Sequence, residues 1–100
     1  VTLDTVQDFL RPTLKNLMPD PSTLAGMDEA VGRLVAAIKA DEKIAVFGDY
    51  DVDGATSSAL LRRFLRSINI DPVLYIPDRM KEGYGPNTPA LQALAAQGVK

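Results

Sequence analysis

Histidine is absent from these 100 residues, as are cysteine and tryptophan. Without His, any step that needs an imidazole as base, acid or metal ligand must draw on groups other than these. Without Cys there is no disulfide framework and no thiolate metal site, which fits a cytoplasmic protein. No apolar run approaches the roughly 18 residues of a membrane span, so no membrane partner is expected. The start, Val1-Thr2-Leu3-Asp4, lacks Met and lacks the basic region and apolar stretch of a secretory signal. It reads as a trimmed or internal segment. There is no positive excess either: the net charge of -2 argues against a surface that holds nucleic acid by charge alone. The same balance suits an enzyme that handles a phosphodiester through metal ions, because such a site needs carboxylates.

What is present is ordinary for a globular chain, with 46% apolar and 24% charged residues. The length allows about one small domain with a modest core. Residues 1–26 read as a short helix and a loop: Val6, Phe9 and Leu10 share a helical face, Pro12 ends the run, and Pro19-Asp20-Pro21-Ser22 is a turn cluster. Asp28 to Ala40 is an amphipathic helix, with Val31, Leu34, Val35 and Ile38 at helical spacing. Asp28 and Glu29 open it and Lys39 closes it, as the helix dipole prefers. Lys43 to Gly48 is a continuous apolar strand, as in a parallel sheet covered on both faces.

A second helix is predicted from Ala55 to Ser67, with Ala59, Leu61, Phe64, Leu65 and Ile68 inward and Arg62, Arg63 and Arg66 outward. Pro72 to Ile76 is a second strand, and Pro77 to Asn87 a loop rich in Gly and Pro. Thr88 as N-cap and Pro89 in the first helical position begin a last helix with Leu91, Leu94 and Ala95 as its apolar stripe; Gly98 stops it and Val99 begins a third strand. This alternation predicts an α/β domain with a parallel, Rossmann-like sheet. Two strands and the first residue of a third make that sheet incomplete, so the chain reads as part of a larger protein.

The acidic loop Gly48-Asp49-Tyr50-Asp51-Val52-Asp53-Gly54 follows the first strand directly, where ligands bind in doubly wound sheets. Three carboxylates within five residues repel one another, and a hard divalent cation with its preference for oxygen offsets that repulsion. By the same logic, removing one carboxylate is expected to leave the apo-fold unharmed or slightly stabilised. The plainer reading is a solvated loop with a helix cap. An EF-hand is excluded: the twelfth position counted from Asp49 is Leu60, where a bidentate Glu is required, and a strand precedes the loop. A haloacid-dehalogenase-like phosphatase is the alternative, since Asp51-Val52-Asp53-Gly54 fits its Asp-x-Asp-Gly core, although Ala55 stands before Thr56.

The run Val46-Phe47-Gly48-Asp49-Tyr50-Asp51-Val52-Asp53-Gly54-Ala55-Thr56-Ser57 resembles the first motif of the DHH phosphoesterase superfamily, in the form its RecJ-like branch carries. Tyr75 to Asn87, with Arg79 and Glu82-Gly83-Tyr84-Gly85, is similar to the segment after the second strand in that branch. The resemblance runs from about Leu10 to the end. It implies that residues 27–100 are the N-terminal part of a DHH catalytic domain and residues 1–26 a lead-in. It also implies two divalent ions, Mn²⁺ or Mg²⁺, and 5′→3′ hydrolysis of single-stranded DNA in repair and recombination. Asp51 and Asp53 match the catalytic, metal-ligating aspartates, and Asp49 lies beside them as a further ligand. Where many members carry a His four residues before Asp51, this chain has Phe47. A non-catalytic scaffold of the same superfamily is the other-class alternative.

Three further residues are candidates for substrate contact. The planar fork of Arg79 suits a phosphate, or else it pairs with Asp78 or Glu82. Tyr84, between two glycines, suits stacking on a base, or else it anchors the loop on the sheet edge. Asn87 either touches substrate or caps the last helix. The hydroxyls of Thr56 and Ser57 are expected to bond within their helix rather than to a phosphate.

Overall fold

The apolar run after Lys43 and the one after Pro72 pair in parallel as β1 (Ala45–Phe47) and β2 (Val73–Tyr75), with Ala45 opposite Val73 and Phe47 opposite Tyr75. The computed structural model describes Thr2 and residues 5–100. Backbone bonds extend the ladder at both ends, from Val73 N–H to the Ile44 carbonyl at 2.9 Å and from Gly48 N–H to the Tyr75 carbonyl at 2.8 Å. An isolated parallel bridge joins Lys43 to Val99, the residue expected to begin a third strand. The result is an incomplete α/β arrangement with a two-stranded parallel sheet.

The helices are α1 (Val6–Leu10), α2 (Leu14–Leu17), α3 (Met27–Lys39), α4 (Val52–Ser67), α5 (Arg79–Glu82) and α6 (Thr88–Ala96). A 3₁₀ turn at Pro21–Thr23 precedes α3. Two compact units divide at Arg33/Leu34, within α3, whereas the sequence places a boundary at 26/27. In the first unit, α2 lies where the sequence predicts a loop; Thr13 caps it by accepting the Asn16 N–H at 3.3 Å. Asp20 likewise caps the 3₁₀ turn through the Ser22 N–H at 2.9 Å.

In the second unit the buried apolar side chains are Ala37, Val46, Leu65, Ala90 and Leu94. Leu65 is fully buried, and Ser58, two helical turns before it, is buried as well. Ser58 and Leu65 mark the inward face of α4: Leu65 is inside as expected, and Ser58 holds a place that apolar spacing does not predict. Leu61, Phe64 and Ile68 stay exposed, while Arg62 is only partly exposed. Arg62 and Arg66 both reach Asp71 at 3.6 Å, across the turn into β2. That exposed arrangement is worth about 0–1 kcal/mol. On α3, Ala37 is buried, Leu34 and Ile38 are half-buried, and Val31 and Val35 are exposed; on α6, Leu94 is buried as expected and Ala90 with it, while Leu91 and Ala95 are exposed. On α4 the small Ser58 lies where the helix comes close to the end of β1, against Gly48.

Two predicted boundaries move. Helix α4 begins at Val52 rather than Ala55, because Asp51 sits in extended conformation (φ −80°, ψ 175°) and accepts the Gly54 N–H at 2.6 Å. Asp53 thus occupies the first helical turn, where the dipole favours an acid. The predicted loop 77–87 contains α5, because the Asp78 carboxylate accepts the Met80 N–H at 2.9 Å and Glu82 reaches back to the Asp78 N–H at 2.8 Å. This reciprocal capping closes one turn of helix.

Candidate metal and nucleic-acid site

Because β1 and β2 are parallel, their carboxyl ends face one rim. The acidic loop leaves that rim after Phe47, and the segment Pro77-Asp78-Arg79 leaves it after Tyr75. Two glycines let the acidic loop hug α4. A Cβ on Gly54 would sit 2.5 Å from the Asp49 carbonyl oxygen, and a Cβ on Gly48 would overlap the buried Ser58 hydroxyl. Gly54 therefore serves close backbone approach within a helix.

The three aspartates have different local roles. Asp49 Oδ1 accepts the Tyr50 N–H at 2.7 Å, and Asp51 Oδ1 caps α4. Asp53 is exposed on the first turn of α4. Among the described residues, no three acidic side chains converge as a ready-made metal cage. As donors, the three fit a hard cation: all are carboxylates, and the hydrogen bonds to Asp49 and Asp51 each use only one oxygen. They are a partial ligand set. Thr56 and Ser57 bond inside α4, to the Val52 carbonyl at 2.8 Å and to the Gly54 carbonyl at 3.2 Å, as expected.

The second block meets the first through Tyr50. The Arg79 guanidinium lies over the Tyr50 ring, 5.4 Å from its centroid. The Tyr84 ring meets Tyr50 nearly perpendicular, at 75° and 6.4 Å. Arg79 is exposed, and among the described residues it makes no ion pair; Lys81 takes Asp78 instead, at 3.7 Å. Tyr84 is 81% exposed, so it does not pack on the sheet edge. A cleft beside it is lined by Phe47, Gly48, Asp49, Tyr84, Gly85 and Pro86. The structure thus brings Arg79 and Tyr84 to the acidic loop. Asn87 is used within the fold: its Oδ1 accepts the Ala90 N–H at 2.9 Å, and its Nδ2 donates to Glu82 at 3.3 Å.

Sequence reasoning missed two residues here. Tyr50 is given no role by the sequence beyond its place in the acidic run. Glu82 was read only as a partner for Arg79, yet it accepts the Tyr75 hydroxyl, the Asp78 N–H and the Asn87 amide, tying β2, α5 and α6 together. The Tyr75 hydrogen bond, with help from the Asp78 N–H, holds the Glu82 carboxyl below its ordinary value, and the same hydrogen bond to Glu82 raises the Tyr75 phenol. The spacing Asp78…Glu82 was the available signal, as an acid reaching back to a helix start.

The fold and this rim define an α/β unit that presents an acidic loop, with a cationic and aromatic loop beside it, at the carboxyl ends of parallel strands. In sequence the chain is RecJ-like. It is 44% identical over 79 residues to the single-stranded-DNA-specific exonuclease RecJ of Bacillus subtilis, which is 79% of this chain and 10% of that protein. It is 39% identical over 89 residues to the RecJ of Haemophilus influenzae, 88% of this chain and 15% of that protein. It is 44% identical over 62 residues to the RecJ of Thermus thermophilus, 62% of this chain and 9% of that protein. The chain therefore spans only about a tenth to a sixth of the curated relatives it matches. No protein-family model matches the chain. No solved structure matches it.

Proposed function

We propose that this chain supplies the acidic loop and the substrate-facing loop of a DHH-type phosphodiesterase that removes nucleotides from single-stranded DNA, 5′→3′, in repair and recombination. The observation that carries this reading is the meeting of the two sequence blocks at one rim, through Tyr50, Arg79 and Tyr84. The names of the relatives support the substrate class. On this reading residues 27–100 are the start of a Rossmann-like DHH domain, residues 1–26 lead into it, and the protein works in the cytoplasm. No helix among the described residues is long and apolar enough to cross a membrane.

Asp51 and Asp53, with Asp49 beside them, hold one or both of two divalent ions, Mn²⁺ or Mg²⁺, together with ligands from elsewhere in the protein. A bound ion supplies Lewis acidity toward the phosphodiester. The chain's own residues bind and orient. Arg79 forks onto a backbone phosphate, and Tyr84 offers its exposed ring to a base. Asn87 contributes through Glu82 and the start of α6, which hold the loop that carries both.

The test is Arg79→Ala in the full-length protein. Loss of one charge-assisted phosphate contact is expected to weaken single-stranded DNA binding by about 1.5–3 kcal/mol. The log–log salt slope is expected to fall by roughly 0.7, with the melting temperature nearly unchanged. A lower melting temperature with an unchanged salt slope would show Arg79 to be structural.

A further inference from the structure

We infer that Tyr50 is a positioning residue, which holds the Arg79 guanidinium at the rim so that it meets a nucleic-acid phosphate already placed. This rests on the phosphate role proposed for Arg79 and names what keeps that side chain in register. Tyr50 stands between Asp49 and Asp51, and its backbone is pinned by the hydrogen bond from its N–H to Asp49 Oδ1 at 2.7 Å. Its ring carries the guanidinium at 5.4 Å, within cation–π range, and meets the Tyr84 ring at 75°. Arg79 opens a helix of only four residues and has no ion-pair partner among the described residues, so the Tyr50 ring is the group seen to restrain it.

A free arginine carries many rotamers, and each must be given up when the fork closes on a phosphate. A guanidinium stacked on a ring keeps its N–H groups at the edge, free to donate, while its face is occupied. Tyr50 thereby couples the two loops: one backbone segment carries both the carboxylates and the ring that aims the phosphate clamp.

The experiment compares Tyr50→Leu, Tyr50→Phe, Arg79→Ala and the double variant Tyr50→Leu/Arg79→Ala in the full-length protein, on single-stranded DNA. Tyr50→Leu is expected to weaken binding and raise KM by about two- to fivefold, the worth of an exposed cation–π contact. Its kcat and Mn²⁺ requirement are expected to hold. Tyr50→Phe keeps the ring and is expected to restore binding. In the Arg79→Ala background, Tyr50→Leu is expected to add nothing. If Arg79→Ala weakens binding but Tyr50→Leu does not, or if the two losses multiply, the positioning role is overturned and the phosphate role stands. If Arg79→Ala itself leaves binding unchanged, both fall.

Discussion

Asp51 and Asp53 differ in what they do for the fold, and that difference separates stability from chemistry. Asp51 caps α4 through the Gly54 N–H at 2.6 Å, while Asp53 is exposed in the first turn. Charge repulsion alone predicts that removing either leaves the fold unharmed; the cap overturns this for Asp51. In the full-length protein, Asp51→Ala is expected to cost about 1 kcal/mol of stability from the lost cap. Asp51→Asn, which caps equally well, is expected to melt near wild type. Asp53→Ala is expected to leave the melting temperature within the spread of surface substitutions. All three are expected to abolish Mn²⁺-dependent hydrolysis, read by a nuclease assay beside thermal melts. Near-normal hydrolysis by Asp53→Ala would remove it from the ligand set.

The elements are held at the rim by small residues. Gly54 lies in the first turn of α4, where a methyl group would press on the Asp49 carbonyl oxygen at 2.5 Å. That contact is with backbone, which cannot swing aside. Gly32 is also helical, in α3, but a methyl group there meets nothing within 4 Å. The two substitutions are therefore expected to have opposite signs. Gly32→Ala should stabilise by about 0.5–1 kcal/mol, since glycine in a helix interior costs that much. Gly54→Ala should destabilise by about 1–3 kcal/mol, as overpacking does, and should lower Mn²⁺ affinity because the acidic loop must shift. Chemical denaturation of the two variants checks both; a stabilising Gly54→Ala would show that the loop-to-helix contact is not tight.

At the scale of the molecule, the proposed metal site needs more than this chain offers. The sheet has two strands, the core of the second unit is thin, and Leu74 and Ile76 remain about 40% exposed. Asp49, Asp51 and Asp53 do not form a cage, and there is no His to add. A two-ion site needs more ligands than one loop offers. The 100-residue chain alone is therefore expected to show no Mn²⁺-dependent degradation of single-stranded DNA beyond a no-protein control. Robust activity from it would mean that the loop binds metal without the remaining ligands.

Alternation of apolar runs and helical spacing was enough to read the strands, the parallel pairing and the order of the main helices, because those depend on local periodicity. The resemblance of two blocks was likewise carried by residues adjacent in the chain. The facing of the helices was only partly legible: apolar spacing pointed to Ala59, Leu61, Phe64, Leu65 and Ile68, and of these Leu65 is buried, with the polar Ser58 inside beside it. The start of α4 and the existence of α5 turned on single carboxylates accepting backbone N–H groups, a choice between loop and cap that sequence leaves open. The contact of Tyr50 with Arg79 and Tyr84 spans some 30 residues of chain. Only the parallel register of β1 and β2 brings those loops to one rim, so no local pattern in the sequence carries it.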